Sequence, residues 1–182
     1  MSDPKSDVLI WLDMEMTGLD PETCVPVEVA IIITTADLDE RETYHAVIHQ
    51  APDALRSMNE FVRKMHTENG LLERVAASKT TLAEANDAIA GVVDRHCPQG
   101  EGLLAGNSIH QDRRFVGRYF TELERRLHYR MVDVSTVKEL VRRWYGEDAV
   151  FSKPESDHTA LADTRQSIAE MGFYRKRYFR AK

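Results

Sequence analysis

An uninterrupted apolar run, Val8-Leu9-Ile10-Trp11-Leu12, ends directly in Asp13-Met14-Glu15. A continuous apolar run of this length describes a central strand covered on both faces. Side chains alternate along a strand, so Asp13 and Glu15 leave it on one face and aim at one point. Like charges so placed repel unless a cation lies between them. Oxygen-only ligands suit hard ions such as Mg²⁺ or Mn²⁺. Taken alone, the pair also fits a strand end that runs into a solvated turn.

Two further segments argue against that bland account. Asp112 stands in Gly106-Asn107-Ser108-Ile109-His110-Gln111-Asp112-Arg113-Arg114-Phe115. Downstream, His158-Thr159-Ala160-Leu161-Ala162-Asp163-Thr164 places a histidine five positions before an aspartate. On a continuous helix that spacing would put His158 well off the face of Asp163. His158 is therefore expected on the segment entering the helix, with Ser156 and Asp157 as candidate caps. An unperturbed imidazole, with a pKa of about 6.5, suits proton transfer from water near neutral pH.

Four acidic residues in three segments, with this histidine, resemble the DEDD superfamily of 3′–5′ exonucleases in its histidine branch. Within that branch the chain most resembles the oligoribonuclease family. The resemblance rests on Leu9 to Pro21, on Gly106-Asn107-Ser108 with Gln111 to Phe115, and on His128-Tyr129-Arg130. Asp133 to Leu140 and Arg142-Arg143-Trp144 extend it, so that it covers nearly the whole chain from Val8. It implies a ribonuclease-H-like α/β fold, a mixed β-sheet flanked by α-helices. It also implies hydrolysis of very short RNAs, down to dinucleotides, from the 3′ end. Two divalent cations, Mg²⁺ or Mn²⁺, would be held by Asp13, Glu15, Asp112 and Asp163. Asp13 would serve both ions, Glu15 and Asp163 the ion on the side of the attacking water, and Asp112 the other. His158 would be the general base.

The same resemblance implies the substrate contacts. Leu19 and Phe61 would wedge the bases, and His66 would contact the 3′-terminal sugar. Ser108, Gln111 and Ser135 would hold phosphate. Caps and turn residues are the bland accounts of these positions. The family is a homodimer, in which Tyr129 and Arg130 would reach the partner's site to stack on the substrate and pair with a terminal phosphate. The chain departs from the family at Phe61, where tryptophan is usual, and at Ala162, where a second aspartate is common. Phe61 still offers a stacking ring, with less area. Two alternatives remain open. One is another DEDD exonuclease, proofreading or ribonuclease T-like, acting on longer 3′ ends; the other is a catalytically dead nucleotide-binding module.

Composition bounds the partners. At 182 residues the expectation is a single exonuclease domain over 1–182, with 1–7 disordered. A net charge of −6 disfavours a basic track for long nucleic acid. Arg113-Arg114, Arg125-Arg126, Arg142-Arg143 and Arg175-Lys176-Arg177 read as solvated helix faces. Met1 to Asp7 shows no hydrophobic signal region, and no stretch approaches membrane-spanning length, so a cytoplasmic location is expected. Cys24 and Cys97 are too few and too far apart for a disulfide framework or a zinc site.

Patterning predicts strands from Val8 to Leu12, Val25 to Thr35, Thr43 to His49, Gly102 to Gly106 and Met131 to Asp133. Glu28 interrupts the second, either near the metal site or as partner of an arginine. Capping-box spacing at Ser57-Glu60, Thr81-Glu84 and Ser108-Gln111 predicts three helix starts, and places Asp112 in a first turn. Val137, Leu140, Val141 and Trp144 form one later helical stripe, and Leu161, Ile168 and Met171 another.

Overall fold

The structure, a computed structural model, describes residues 7–154 and 159–180. The expectations for His158, Ser156, Asp157 and residues 1–6 lie outside them. Strands β1 (Val8–Met16), β2 (Pro26–Thr35) and β3 (Glu40–Val47) form an antiparallel meander. Strands β4 (Gly102–Gly106) and β5 (Leu127–Asp133) then add in parallel, giving the order β3-β2-β1-β4-β5. This mixed sheet is the ribonuclease-H-like arrangement the sequence implied. The helices are α1 (Glu60–Glu68), α2 (Leu71–Ala77), α3 (Leu82–Asp94), α4 (His110–Tyr119), the short α5 (Thr121–Glu124), α6 (Val134–Tyr145) and α7 (Ala160–Tyr178).

Alternation along β1 divides the core. Ile10, Leu12 and Met14 join Val29, Ile31 and Ile33 of β2 against Ala85, Ile89 and Val93 of α3 and Phe115 of α4. Trp11 faces the other way, with Ile32, Ala105, Val141 of α6 and Tyr174 of α7. Its indole N–H donates to Thr34 Oγ1 at 2.9 Å, which satisfies a buried donor. Asp13 and Glu15 share the parity of Trp11, so they leave the sheet on the side that α7 covers.

The strands at Val8, Val25 and Thr43 form close to their expected places, and β5 starts earlier than Met131. The Thr81 capping box forms: Glu84 N–H donates to Thr81 Oγ1, and the Glu84 carboxylate accepts from Thr81 N–H. The other two boxes do not. Asn59 caps α1, because Ser57 turns its hydroxyl to Thr17 and the Ala54 carbonyl. Ser108 has φ +51° and bonds Ser135 instead of capping α4. Asp112 nevertheless lies in the first turn of α4. The cap of α7 is Thr159, whose hydroxyl accepts the Ala162 N–H.

Two more expectations gain detail. The basic clusters are mostly exposed, as expected, and several of their cations are also paired. Arg113 binds Glu124 and the His128 carbonyl, Arg126 binds Asp94, Arg142 binds Glu139 and Glu147, and Arg175 binds Asp37. Each of these four arginines has an acidic partner and braces the fold, while Arg114 bonds the Leu19 carbonyl and Gln111. The α6 stripe is only partly internal. Val141 is buried, but Trp144 is 68% exposed, because α6 lies at the β4–β5 edge of the sheet and packs on one side only. Cys24 and Cys97 are buried free thiols, and burial pushes Cys97 up to about 11, so it stays protonated and inert. Among the described residues no helix is long and apolar enough to cross a membrane.

Candidate metal centre and substrate groove

The β1–β4 ladder pairs only Leu9 to Trp11 with Leu103 to Ala105. Beyond Trp11 the edge of β1 facing β4 is free, and Asp112 fills it. Its Oδ1 accepts the Met14 N–H at 3.1 Å, a buried contact. Gly106, which ends β4, is needed for this approach. A Cβ there would stand 2.8 Å from the Leu12 carbonyl oxygen and 2.9 Å from Ile109. The glycine thus lets the turn into α4 press against β1 and deliver Asp112.

α7 delivers the remaining carboxylate from the other face. Ligand atoms of Asp13, Glu15 and Asp163 lie within 4.8 Å of one another, and all three residues are half-buried. Asp112 is not in that trio but adjoins Asp13 closely enough for its charge to raise the proton affinity of Asp13. Burial, then the charges of Asp112, Glu15 and Asp163, hold Asp13 well above the usual carboxylate range. Burial, then Glu28, Asp163 and Asp112, pushes Glu15 up to about 8. Burial also raises Asp112 to about 7, against the hydrogen bonds from its own N–H and from Met14. Lys153 is the cation that partly offsets this at Asp13.

Crowded carboxylates whose proton affinity is raised this far call for cationic charge. The donor set is all oxygen, which fits a hard divalent ion. The sequence reading of Asp13, Glu15, Asp112 and Asp163 as one neighbourhood agrees with this geometry.

Glu28 resolves into neither of its two expected roles alone. It is fully buried, with Oε1 at 2.7 Å from His45 Nε2 and 3.7 Å from Arg74, and its Oε2 accepts the Ala160 N–H. An arginine partner is present, but the chief contacts are a histidine and the start of α7. Burial would raise its proton affinity, but the bonds from His45 and Ala160 outweigh that and lower it.

The expected substrate residues divide into groups. Leu19 and Phe61 are 63% and 75% exposed apolar side chains. His66 is fully buried, with Nε2 at 3.1 Å from the Met16 carbonyl and 3.9 Å from Glu15. Burial lowers its pKa, so the ring stays neutral. Nε2–H donates to Met16, which leaves Nδ1 a buried acceptor with no partner. Ser108 and Ser135 meet at 3.1 Å on the rim of a cavity of about 340 Å³, also lined by His110, Asp133, Thr136 and Arg143. Gln111 does not join them; its Oε1 accepts from Arg114, which also holds the Leu19 carbonyl. Tyr129 is 53% exposed on the edge strand β5, with the Arg130 guanidinium 5.5 Å from its ring centre.

Sequence reading missed the supporting residues: Arg113 under the His-Tyr-Arg segment, Arg74 and His45 on Glu28, and Lys153. Each is a polar residue whose partner is distant in sequence, so no local pattern marks it.

A family model described as an exonuclease (RNase_T) matches residues 10–171. The oligoribonuclease of Corynebacterium diphtheriae is 47% identical over 95% of this chain and 84% of its own length. That of Shewanella baltica is 43% identical over 94% and 96%. Among solved structures, exonuclease I of E. coli in complex with an oligonucleotide superposes with TM-score 0.70 at 16% identity, covering 96% of this chain. The exonuclease I of Methylocaldum szegediense gives TM-score 0.65 at 19% identity over 94%. This chain spans about two fifths of the length of those exonuclease I chains, 42% and 41%, and the likeness there is one of fold. By sequence over nearly its whole length, the chain belongs to the oligoribonuclease family of exonucleases.

Proposed function

We propose that this chain is a 3′–5′ exoribonuclease that hydrolyses very short RNAs, dinucleotides above all, to mononucleotides in the cytoplasm, as one domain over 1–182. The observation that carries this reading is the convergence of Asp13, Glu15 and Asp163 within 4.8 Å, beside Asp112. These four carboxylates would hold two divalent cations, Mg²⁺ or Mn²⁺. Bound there, the cations would activate water and stabilise the leaving oxygen.

The chain's own residues do the rest. Leu19 and Phe61 offer apolar surface for two bases. His66 Nδ1, buried and unpartnered, would accept a hydrogen bond from a ribose hydroxyl at the 3′ end once substrate binding opens its fully covered site. The Ser108 hydroxyl would donate to phosphate at the cavity rim, Ser135 would do so by turning its proton from Asn107 Oδ1, and Gln111, which stands apart from both, would add its amide. His158 takes the proton from water. Turnover of a dinucleotide compared with that of a long RNA, each with and without EDTA, tests this reading. Dinucleotide turnover should dominate and vanish with EDTA. Faster turnover of the long RNA would overturn the short-substrate reading in favour of a proofreading or ribonuclease T-like enzyme.

The proposal includes a homodimer. Tyr129 and Met131 on β5, and Leu140 and Trp144 on α6, are large apolar side chains left exposed, and a second copy would cover part of them. Tyr129 and Arg130 would then cap the far end of a dinucleotide in the partner's site, which blocks longer RNA. Co-expressed Tyr129→Ala and Asp112→Ala chains, each inactive alone, should regain partial activity in purified heterodimers, since one of the two sites is then intact. No recovery would mean that the cap acts in cis or does not exist.

A further inference from the structure

One buried carboxylate beside the metal centre has no part in the reaction described so far. Glu28 is the register partner of Glu15 across the β1–β2 ladder and is fully buried. Both of its oxygens are occupied. Oε1 faces His45 Nε2 at 2.7 Å, with Arg74 at 3.7 Å, and Oε2 accepts the Ala160 N–H at 3.2 Å. It is therefore not placed as a ligand, and it is absent from the Asp13, Glu15 and Asp163 group.

The Ala160 contact is the informative one. The first N–H groups of a helix have no partner within it. In α7, Ala162 N–H is taken by Thr159 Oγ1 and Asp163 N–H by the Thr159 carbonyl, both inside the same turn. The Ala160 N–H instead crosses to the sheet, to a residue 132 positions earlier. The tether runs from β2, at the level of Glu15, to the turn that carries Asp163.

We propose that Glu28 is a positioning residue for the metal centre, fixing Asp163 against Asp13 and Glu15 by holding the first turn of α7 to the sheet. This rests on reading those carboxylates as a metal centre. The function requires the geometry of the arm and its acceptor oxygen, and not the negative charge. Glutamine keeps both, offering its carbonyl to Ala160 and its amide to the His45 ring. Aspartate keeps the charge but is one methylene too short to reach Ala160 and His45 together.

The test is Mn²⁺ binding to the RNA-free protein by calorimetry, alongside kcat and KM on a dinucleotide at saturating Mn²⁺, for Glu28→Gln, Glu28→Asp and Glu28→Ala. Loss of a residue that orients ligands from outside the coordination shell costs about 10–100-fold in metal affinity or activity. Glu28→Asp and Glu28→Ala should lose that much in Mn²⁺ affinity and in kcat, with KM little changed, and Glu28→Gln should stay close to the parent. The proposal is overturned if Glu28→Gln is as impaired as Glu28→Asp, since the charge then matters. It is equally overturned if Glu28→Asp binds Mn²⁺ and turns over normally while only its thermal midpoint falls. Should Glu28→Ala fail to fold, the Gln and Asp pair still decides. Asp163→Ala is the control: unchanged Mn²⁺ binding there would sink the metal-centre reading itself.

Discussion

Alanine at Asp13, Glu15, Asp112 or Asp163 is expected to cost about 10³-fold or more in dinucleotide turnover, the several kcal/mol that charge stabilisation by a metal ion supplies. The fold should survive each change, because these side chains pack little apolar surface, although Asp112→Ala also leaves the buried Met14 N–H without its acceptor. Without divalent ions the substitutions at Asp13 and Glu15 should stabilise the chain. Asp13, Glu15 and Asp112 are buried among other carboxylates, and each holds its proton more tightly than in the unfolded chain. Asp13→Asn removes one source of that repulsion. In a chain of this length, each kcal/mol relieved raises the metal-free Tm by about 2–4 °C.

The pH dependence of metal-free stability has a defined sign. Between the ordinary carboxylate range and about 8, where Glu15 releases its proton, the folded chain binds more protons than the unfolded one. Stability therefore falls as pH rises through that window, with Asp112 contributing up to about 7. Saturating Mg²⁺ should reverse the trend, since ions bind the deprotonated cluster. Thermal melts from pH 5 to 8.5 with EDTA or Mg²⁺ read both slopes. Near-normal activity in any one alanine variant, or metal-free stability that climbs with pH, would falsify the assignment.

The Asp13–Glu15 pair was legible because it depends on a local rule, whereas only the family resemblance brought Asp163 of α7 to it. Alternation alone sets Asp13 and Glu15 on one face, and the helical stripe through Leu161 and Ile168 makes Asp163 part of a packed helix. Other features were illegible because they depend on where distant elements stop. Asp112 could be placed in a first turn, but its bond to Met14 exists only because the β1–β4 ladder ends at Trp11. Glu28 showed locally as an odd residue in a buried strand, while its partners come from β3, α2 and α7. The Ser57 and Ser108 boxes failed for a related reason. A serine hydroxyl takes whichever partner tertiary packing brings closest, here Thr17 and Ser135.

His158→Ala is expected to lower kcat about 10²–10⁴-fold, the range for removing a general base. Its Mn²⁺ affinity should stay within about threefold of the parent, a change of less than 1 kcal/mol. His158 lies outside the described residues, and its position in the sequence is what supports the role. Helix α7 begins at Ala160 with Thr159 as its cap, so His158 directly precedes the turn that carries Asp163. A base must be neutral to accept a proton, so kcat should rise with pH through about 6.5 and level off above it. With divalent ions bound the carboxylates are already ionised, so this limb belongs to the imidazole. His158→Ala should flatten it, and the residual rate should climb with hydroxide concentration. If the alanine variant instead loses Mn²⁺ binding, His158 is a ligand; if the limb near 6.5 persists unchanged, another group is the base.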